Sequence, residues 1–262
     1  MIFIFKLSKI LIREISFRIK RLEAGFQLGL KNFSIIKKIN KVQVLRQNSL
    51  HRFFIQIGAG AGDLDERAGF KDGFSKIVKS VKLTEKDVIV LVEPNPLNIN
   101  KLEKSWVGYQ NVEIHEIAIS EKSSAGKTLS FYFADNDAPH FQVASLSPHH
   151  VLNHYKDLLI SDLKVIEVPT HDLESFLQTV TNGSPIVLLA LDIEGLDAEI
   201  ILDTNFSEFD ISIISFEYVH LGDRAIQVAD HLGKFGFRYI GLGVDHNGFD
   251  HLFFRKLSDS KI

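Results

Sequence analysis

The 262 residues predict an α/β fold on a mostly parallel, seven-stranded sheet with helices on both faces, preceded by a basic helical arm. Three observations carry this prediction. Short runs made almost purely of Ile, Val, Leu and Phe recur from residue 51 onward, as strands buried on both faces of a parallel sheet do. Helix-like segments fall between them, and strand–helix alternation is the pattern of an α/β sheet. The first apolar run, Phe53–Ile57, leads directly into Gly58-x-Gly60-x-Gly62, where glycine lets the chain turn and a ligand approach the backbone.

Charge divides the chain in two. Residues 1–52 hold twelve Lys/Arg against Glu14 and Glu23, a net of +10, while the remaining residues hold 18 against 31, a net of −13. We therefore expect an arm over residues 1–50 and one domain over 51–262. Within the arm, Phe5, Ile12, Ile15, Ile19, Leu22 and Phe26 recur at helical steps, with Lys9, Arg13, Arg18, Lys20 and Arg21 around them. A second basic, partly apolar stretch runs to Arg46. Such a segment suits an anionic membrane surface, reached through residues 1–46. It equally suits a helix packed on its own domain or on a second subunit.

Composition removes several function classes. Hydrophobic residues at 45% and 21 Phe are enough for a sizeable core. The absence of cysteine excludes disulfide frameworks, thiolate zinc sites and cysteine nucleophiles, and fits a reducing compartment. The body is acidic, so no nucleic-acid partner is expected. No stretch reaches the ~18 uncharged apolar residues of a membrane span. The apolar start is broken by Lys6 and Lys9, and no small-residue cleavage site follows. The expected location is cytoplasmic, or peripheral on the inner membrane face.

Taken in order, the expected strands are Phe53–Ile57, Val88–Val92, Val112–Ile119, Ile186–Leu191, Ile211–Phe216, Arg238–Leu242 and His251–Arg255. The expected helices are 72–82, Pro96–Trp106, 172–181, 197–203 and 223–235. Asn95-Pro96 supplies an N-cap and a proline at the first helical position. Residues 124–168 break the alternation: an extra strand, LSFYF at 129–133, precedes a polar loop. That segment is expected to cover the strand ends.

The second strand ends in Glu93, and an acid there is placed to bind the two ribose hydroxyls of a nucleoside-like ligand. A dinucleotide site needs a third glycine where this chain has Asp63, which would set a negative charge beside a diphosphate. No Gly-Lys-Ser/Thr occurs, so a phosphate-binding loop is absent. The acids near the glycines, Asp63, Asp65 and Glu66, suit a cationic cofactor. S-adenosylmethionine meets these constraints best.

Six blocks then appear in one order across about residues 51–220: FIQIGAGAG, VEPNP, NVEIHEIAIS, VPTHDLESF, LLALDIEGLDAEIIL and ISFEY. Together they resemble the FkbM family of S-adenosylmethionine-dependent methyltransferases. The resemblance implies a class I, Rossmann-like methyltransferase fold and methyl transfer, usually to oxygen. It also implies acceptors that are often sugars of glycans, glycolipids or natural products. Carried onto this chain, it has Gly58, Ala59, Gly60 and Gly62 line the methionine part. Glu93 would hold the ribose, Asn95 would support that turn, and Glu116, Ala118 and Ile119 would flank the adenine. Many methyltransferases carry an acid two residues before the first glycine; here it is Gln56, which keeps a hydrogen-bond acceptor but not the charge. The segment AGFKDGFSK, residues 68–76, adds length between Gly62 and Glu93.

The acids of Asp192-x-Glu194-Gly195 follow a buried strand, and Glu217 ends the neighbouring one. Three acids this close need a cation or a proton between them. They could orient or deprotonate an acceptor hydroxyl, with Asp192 the foremost catalytic candidate. A divalent metal on Asp192, Glu194 and Glu217 is a rival account that we do not assign, and a scaffold or capping role for Glu194 or Glu217 is another. His220 is the second candidate base. His149, His150 and His154 read as surface or substrate-contact residues. Ser145 and His171 are candidate substrate contacts, and Asp172 caps the next helix. A nucleotide-dependent oxidoreductase and a non-catalytic glycan- or partner-binding protein are the competing readings.

Overall fold

The computed structural model describes residues 29–64, 72–134, 144–153, 155, 157–193, 195–219, 221–245 and 248–256. In chain order the strands are β1 (Arg52–Ile57), β2 (Asp87–Val92), β3 (Val112–His115), β4 (Ala118–Ile119), β5 (Thr128–Phe133), β6 (Ala144–Ser145), β7 (Lys164–His171), β8 (Ile186–Leu191), β9 (Ile211–Glu217), β10 (Phe237–Leu242) and β11 (Asp250–Arg255). The helices are α1 (29–45), α2 (Gly73–Lys79), α3 (Pro96–Ser105), α4 (Pro148–Asn153), α5 (Leu173–Thr181), α6 (Asp197–Asp203) and α7 (Arg224–Lys234).

The main sheet has seven strands in the order β3-β2-β1-β8-β9-β11-β10, with β11 antiparallel to both neighbours. This is the class I methyltransferase sheet, mixed only through β11. Every residue of β1, β2 and β8 is buried, which is why their runs read as continuous apolar segments rather than as alternation. Along β1, Phe53, Ile55 and Ile57 pack with Phe176, Ile200, Ile201 and Val228 of α5, α6 and α7. Phe54 points the other way, to a second core with Ile39, Phe74, Ile77 and Leu102 of α1, α2 and α3. The two-fold side-chain period of a strand produces these two layers.

Of the expected arm, residues 29–45 pack on the body, one of the alternatives open for it. Ile35, Ile39 and Val42 of α1 fall on one helical face and are buried in the second core. Arg46 pairs with Asp210 at 2.7 Å. The buried Arg52 clamps Asp87 through Nε at 2.9 Å and Nη2 at 2.8 Å. Residues 29–45 therefore pack on the body, and two cations just beyond them, Arg46 and Arg52, are paired inside the fold. The arm's amphipathic run over residues 5–26 lies outside the described residues.

The expected strand Val112–Ile119 is two strands. β3 pairs with β2, whereas β4 leaves that sheet and pairs with β7. A second sheet, β4-β7-β5-β6, occupies the interrupting segment. β7 was not expected: its burial alternates and it contains Pro169, a residue sheets admit mainly at edges and irregular positions.

Candidate active site

The chain turns sharply where β1 ends. Gly58 adopts φ +79, and a Cβ there would collide with the Asp192 carbonyl oxygen, so only glycine allows this approach. The Gly58 and Ala59 N–H groups both donate to the Val92 carbonyl at 2.9 Å, folding the turn over the end of β2. The Gly60 N–H donates to Glu93 Oε2 at 2.7 Å. At Gly62, φ +60, a Cβ would stand 2.6 Å from Ser105 Oγ of α3. Asp63 accepts from Lys79 at 2.6 Å, and the same ammonium lies 4.5 Å from the Trp106 ring centre. Asp63 is thus an ion-pair partner that holds the turn on α2 and α3, not a charge presented to a ligand.

A cavity opens beside this turn, enclosing about 640 Å³ with its open mouth included. Gly58, Gly60 and Glu93 line one part; Ile117, Ala118 and Ile119 line another. Phe131, Ser145 and Leu146 come from the second sheet and the residue following it, and Asp192, Ile193 and Leu196 from the turn after β8. Glu93 is 5% exposed; its Oε1 accepts from the Asn95 N–H at 2.8 Å and from Asn98 Nδ2 at 3.3 Å. One carboxylate therefore ties the glycine turn to the start of α3 while facing the cavity. Asn95 caps α3, accepting from the Leu97 N–H at 3.1 Å.

The sequence-derived residues divide accordingly. Gly58, Gly60, Glu93, Ala118, Ile119, Ser145 and Asp192 meet at the cavity. Gln56, Ala59, Gly62, Asn95, Glu116, Glu217 and His171 are outside its lining. Ala59 is buried in the second core and Gly62 packs on α3. Glu116 is exposed, and Ile117 takes the wall position expected of it. His171, also exposed, contributes its backbone, accepting from the Ser120 N–H at 2.9 Å. Glu217 adjoins Asp192, since the register Leu191↔Phe216 sets the next residues side by side. Glu194, His220 and His154 lie outside the described residues. Among the described residues no group of three His, Asp or Glu is arranged to hold a metal.

Two contributors, Asp72 and Asp197, escaped the sequence reading, and His150, read there as a surface or substrate-contact residue, has a definite neighbour. Gln56 Nε2 donates to Asp72 Oδ1 at 3.0 Å, so the carboxylate missing from the motif stands one residue behind the amide. Asp72 also caps α2; burial raises its pKa against the lowering effect of those hydrogen bonds. Asp197, 1% exposed, accepts the Ile193 N–H at 3.3 Å and so shapes the turn that carries Asp192. His150 of α4 stands against Gly195, where a Cβ would lie 2.6 Å from its Nδ1. A short helix and an Asp four residues into an acidic block carry no signal that separates these roles from ordinary caps.

The family model described as "Methyltransferase FkbM domain" matches residues 56–239. The chain belongs to this family. Its span runs from Gln56 to Tyr239 and takes in the glycine turn, Glu93, the second sheet and Asp192. No curated protein matches the chain. Among solved structures it is similar to Aeropyrum pernix fibrillarin in complex with natively bound S-adenosyl-L-methionine, at TM-score 0.39 and 10% identity over 79% of this chain and 66% of that one. It is also similar to a Methanococcus jannaschii fibrillarin pre-rRNA processing protein, at TM-score 0.35 and 12% identity over 79% and 67%. A third is a precorrin-6y C5,15-methyltransferase from Geobacter metallireducens, at TM-score 0.35 and 13% identity over 86% of each chain. The chain thus spans about two thirds of the fibrillarin chains' length. The methyltransferase assignment rests on the family match. In this FkbM domain the donor set suits S-adenosylmethionine: a glycine turn without a phosphate-binding lysine, an acid at the tip of β2 and an apolar wall beside it.

Proposed function

We propose that the protein transfers a methyl group from S-adenosylmethionine to a hydroxyl oxygen, on a sugar of a glycan, glycolipid or related metabolite. One observation carries this reading: Glu93 and Asp192 line the same cavity, on either side of the glycine turn that follows β1, the strand between theirs. S-adenosylmethionine held there supplies a methyl group on a positively charged sulfur. Gly58 and Gly60 offer it close backbone approach, Glu93 accepts from a ribose-type diol, and Ala118 and Ile119 face a purine-sized apolar surface. Asp192 orients the acceptor hydroxyl and takes up its proton. Positioning supplies most of the acceleration, since well-oriented groups reach effective molarities of about 10⁵–10⁸ M; a base adds about 10²–10⁴-fold. Ser145 is a further polar contact for the acceptor. The sugar class comes from the family resemblance, and a metal on Asp192 is not part of the proposal.

Calorimetric titration with S-adenosylhomocysteine tests the cofactor assignment, and absence of binding would overturn it. Incubation with methyl-labelled S-adenosylmethionine and cell-envelope extract tests the acceptor. Label recovered in a base-stable sugar ether supports the reading; label on protein or nucleic acid refutes it.

A further inference from the structure

Helix α1 is patterned on two sides. Its inward side is Ile35, Ile39 and Val42, all within 2% of complete burial. On the opposite side, at helical steps of three or four, stand Leu30, Phe33, Lys37, Lys41 and Val44. Phe33 is 67% exposed, Val44 63% and Leu30 55%, with Lys37 and Lys41 exposed between and beside them. A helix that only covers a core carries a polar outer face; this one carries an apolar ridge with amines.

Charge decides what fits the ridge. From Ala24 to Gly62 the chain contains no Asp or Glu. Some cations of that stretch are used inside the fold: Lys31 donates to the Asp245 carbonyl, Arg46 pairs with Asp210 and Arg52 with Asp87. Lys37 and Lys41 stand on the outside, and Lys38 bonds Ser34 Oγ at 3.1 Å on an exposed flank. We propose that this outer face of α1 docks on an anionic lipid bilayer. Phe33, Leu30 and Val44 enter the headgroup region while the lysines snorkel to phosphates. A two-fold contact with a second copy fits poorly, because it would set this lysine row against itself. The proposal is independent of the reaction assigned above.

The helix direction gives the docking a functional sense. Lys31, in the first turn, reaches Asp245 near the start of β11, and Asp250 of β11 pairs with Glu217 at the carboxyl end of β9. Arg46, after the last turn, meets Asp210 before β9 begins. The helix therefore runs against the parallel strands, and its first turn lies at the sheet edge where Asp192 and Glu93 emerge.

The test is co-flotation of the full chain with vesicles of phosphatidylcholine alone or mixed with phosphatidylglycerol. Wild type should float with the anionic vesicles only, and less at high salt. Each lysine near the surface accounts for about fivefold in partitioning, so K37Q/K38Q/K41Q should lose on the order of a hundredfold. Phe33→Ser should weaken binding as well. Both variants alter side chains outside the core, so unchanged melting temperature and S-adenosylhomocysteine affinity confirm that they are folded. Wild type that ignores anionic vesicles overturns the proposal, as do variants that bind like wild type. So does a dimer in solution that Phe33→Ser dissociates.

Discussion

Glu93→Gln separates two roles that one carboxylate holds. If Glu93 served only to bind ribose, an isosteric amide would weaken cofactor binding and leave folding stability untouched. The hydrogen bonds say otherwise: Oε2 accepts from the Gly60 N–H at 2.7 Å, and Oε1 accepts from the Asn95 N–H at 2.8 Å and Asn98 Nδ2 at 3.3 Å. A glutamine keeps one acceptor oxygen. Its amide nitrogen must then face either the Gly60 donor or the two donors at the start of α3. Leaving a buried donor unmade costs about 1–3 kcal/mol, and losing the charge weakens the surviving bonds further. Gly60 is half-buried, so water satisfies part of its N–H and the expected cost settles near 2 kcal/mol. Urea unfolding without cofactor should show this loss, and calorimetry with S-adenosylhomocysteine should show weakened binding beyond it. A variant within about 0.5 kcal/mol of wild type in urea would refute the turn-holding role, since substitutions away from such features fall in that range.

Asp250 supplies a pH prediction. Burial first and the Asp245 charge second push its carboxyl up to about 7. The folded chain holds that proton more tightly than the unfolded one, so the stabilising contribution is full below about pH 4 and lost as pH rises through 7, a decline of about 4 kcal/mol. Asp250→Asn should flatten the fall in urea midpoint over that window; an equally steep fall would show that other groups cause it. Gly58→Ala, with φ +79 and no room beside the Asp192 carbonyl, should cost at least about 2 kcal/mol and abolish S-adenosylhomocysteine binding; near-normal binding by calorimetry would disprove the close approach. Asp192→Asn should slow turnover by about 10²–10⁴-fold in a labelled-methyl assay and leave cofactor affinity within a few-fold. Joint loss of both would make Asp192 a scaffold residue.

The central strands β1, β2, β8 and β9 were legible because burial on both faces favours apolar residues at most positions. The alternating, half-exposed β7 and the two-residue β4 had no such pattern, and so the second sheet appeared only as one strand and a loop. At the site, the glycines could be located but not their facing. Strand parity sends Gln56 to the second core's side of β1 while Ile57 lines the cavity, and Gly62 spends its missing side chain on α3. Net charge counts lysines and arginines without showing which have partners: the pairs Arg46–Asp210 and Arg52–Asp87, just beyond α1, join positions far apart in sequence.

β4 is two residues long, yet Ala118 and Ile119 form part of the cavity wall and pair with Thr170 and His171 at the edge of the second sheet. It acts as a seam between two modules. On one side lies the glycine turn with Glu93; on the other, an insert whose own contributions to the cavity are Phe131, Ser145 and Leu146. Such a seam lets the insert be rebuilt, in evolution or by grafting, provided these two residues keep their register. On the function proposed above, changes to the insert alter the acceptor side of the cavity and leave the half assigned to the methyl donor as it is.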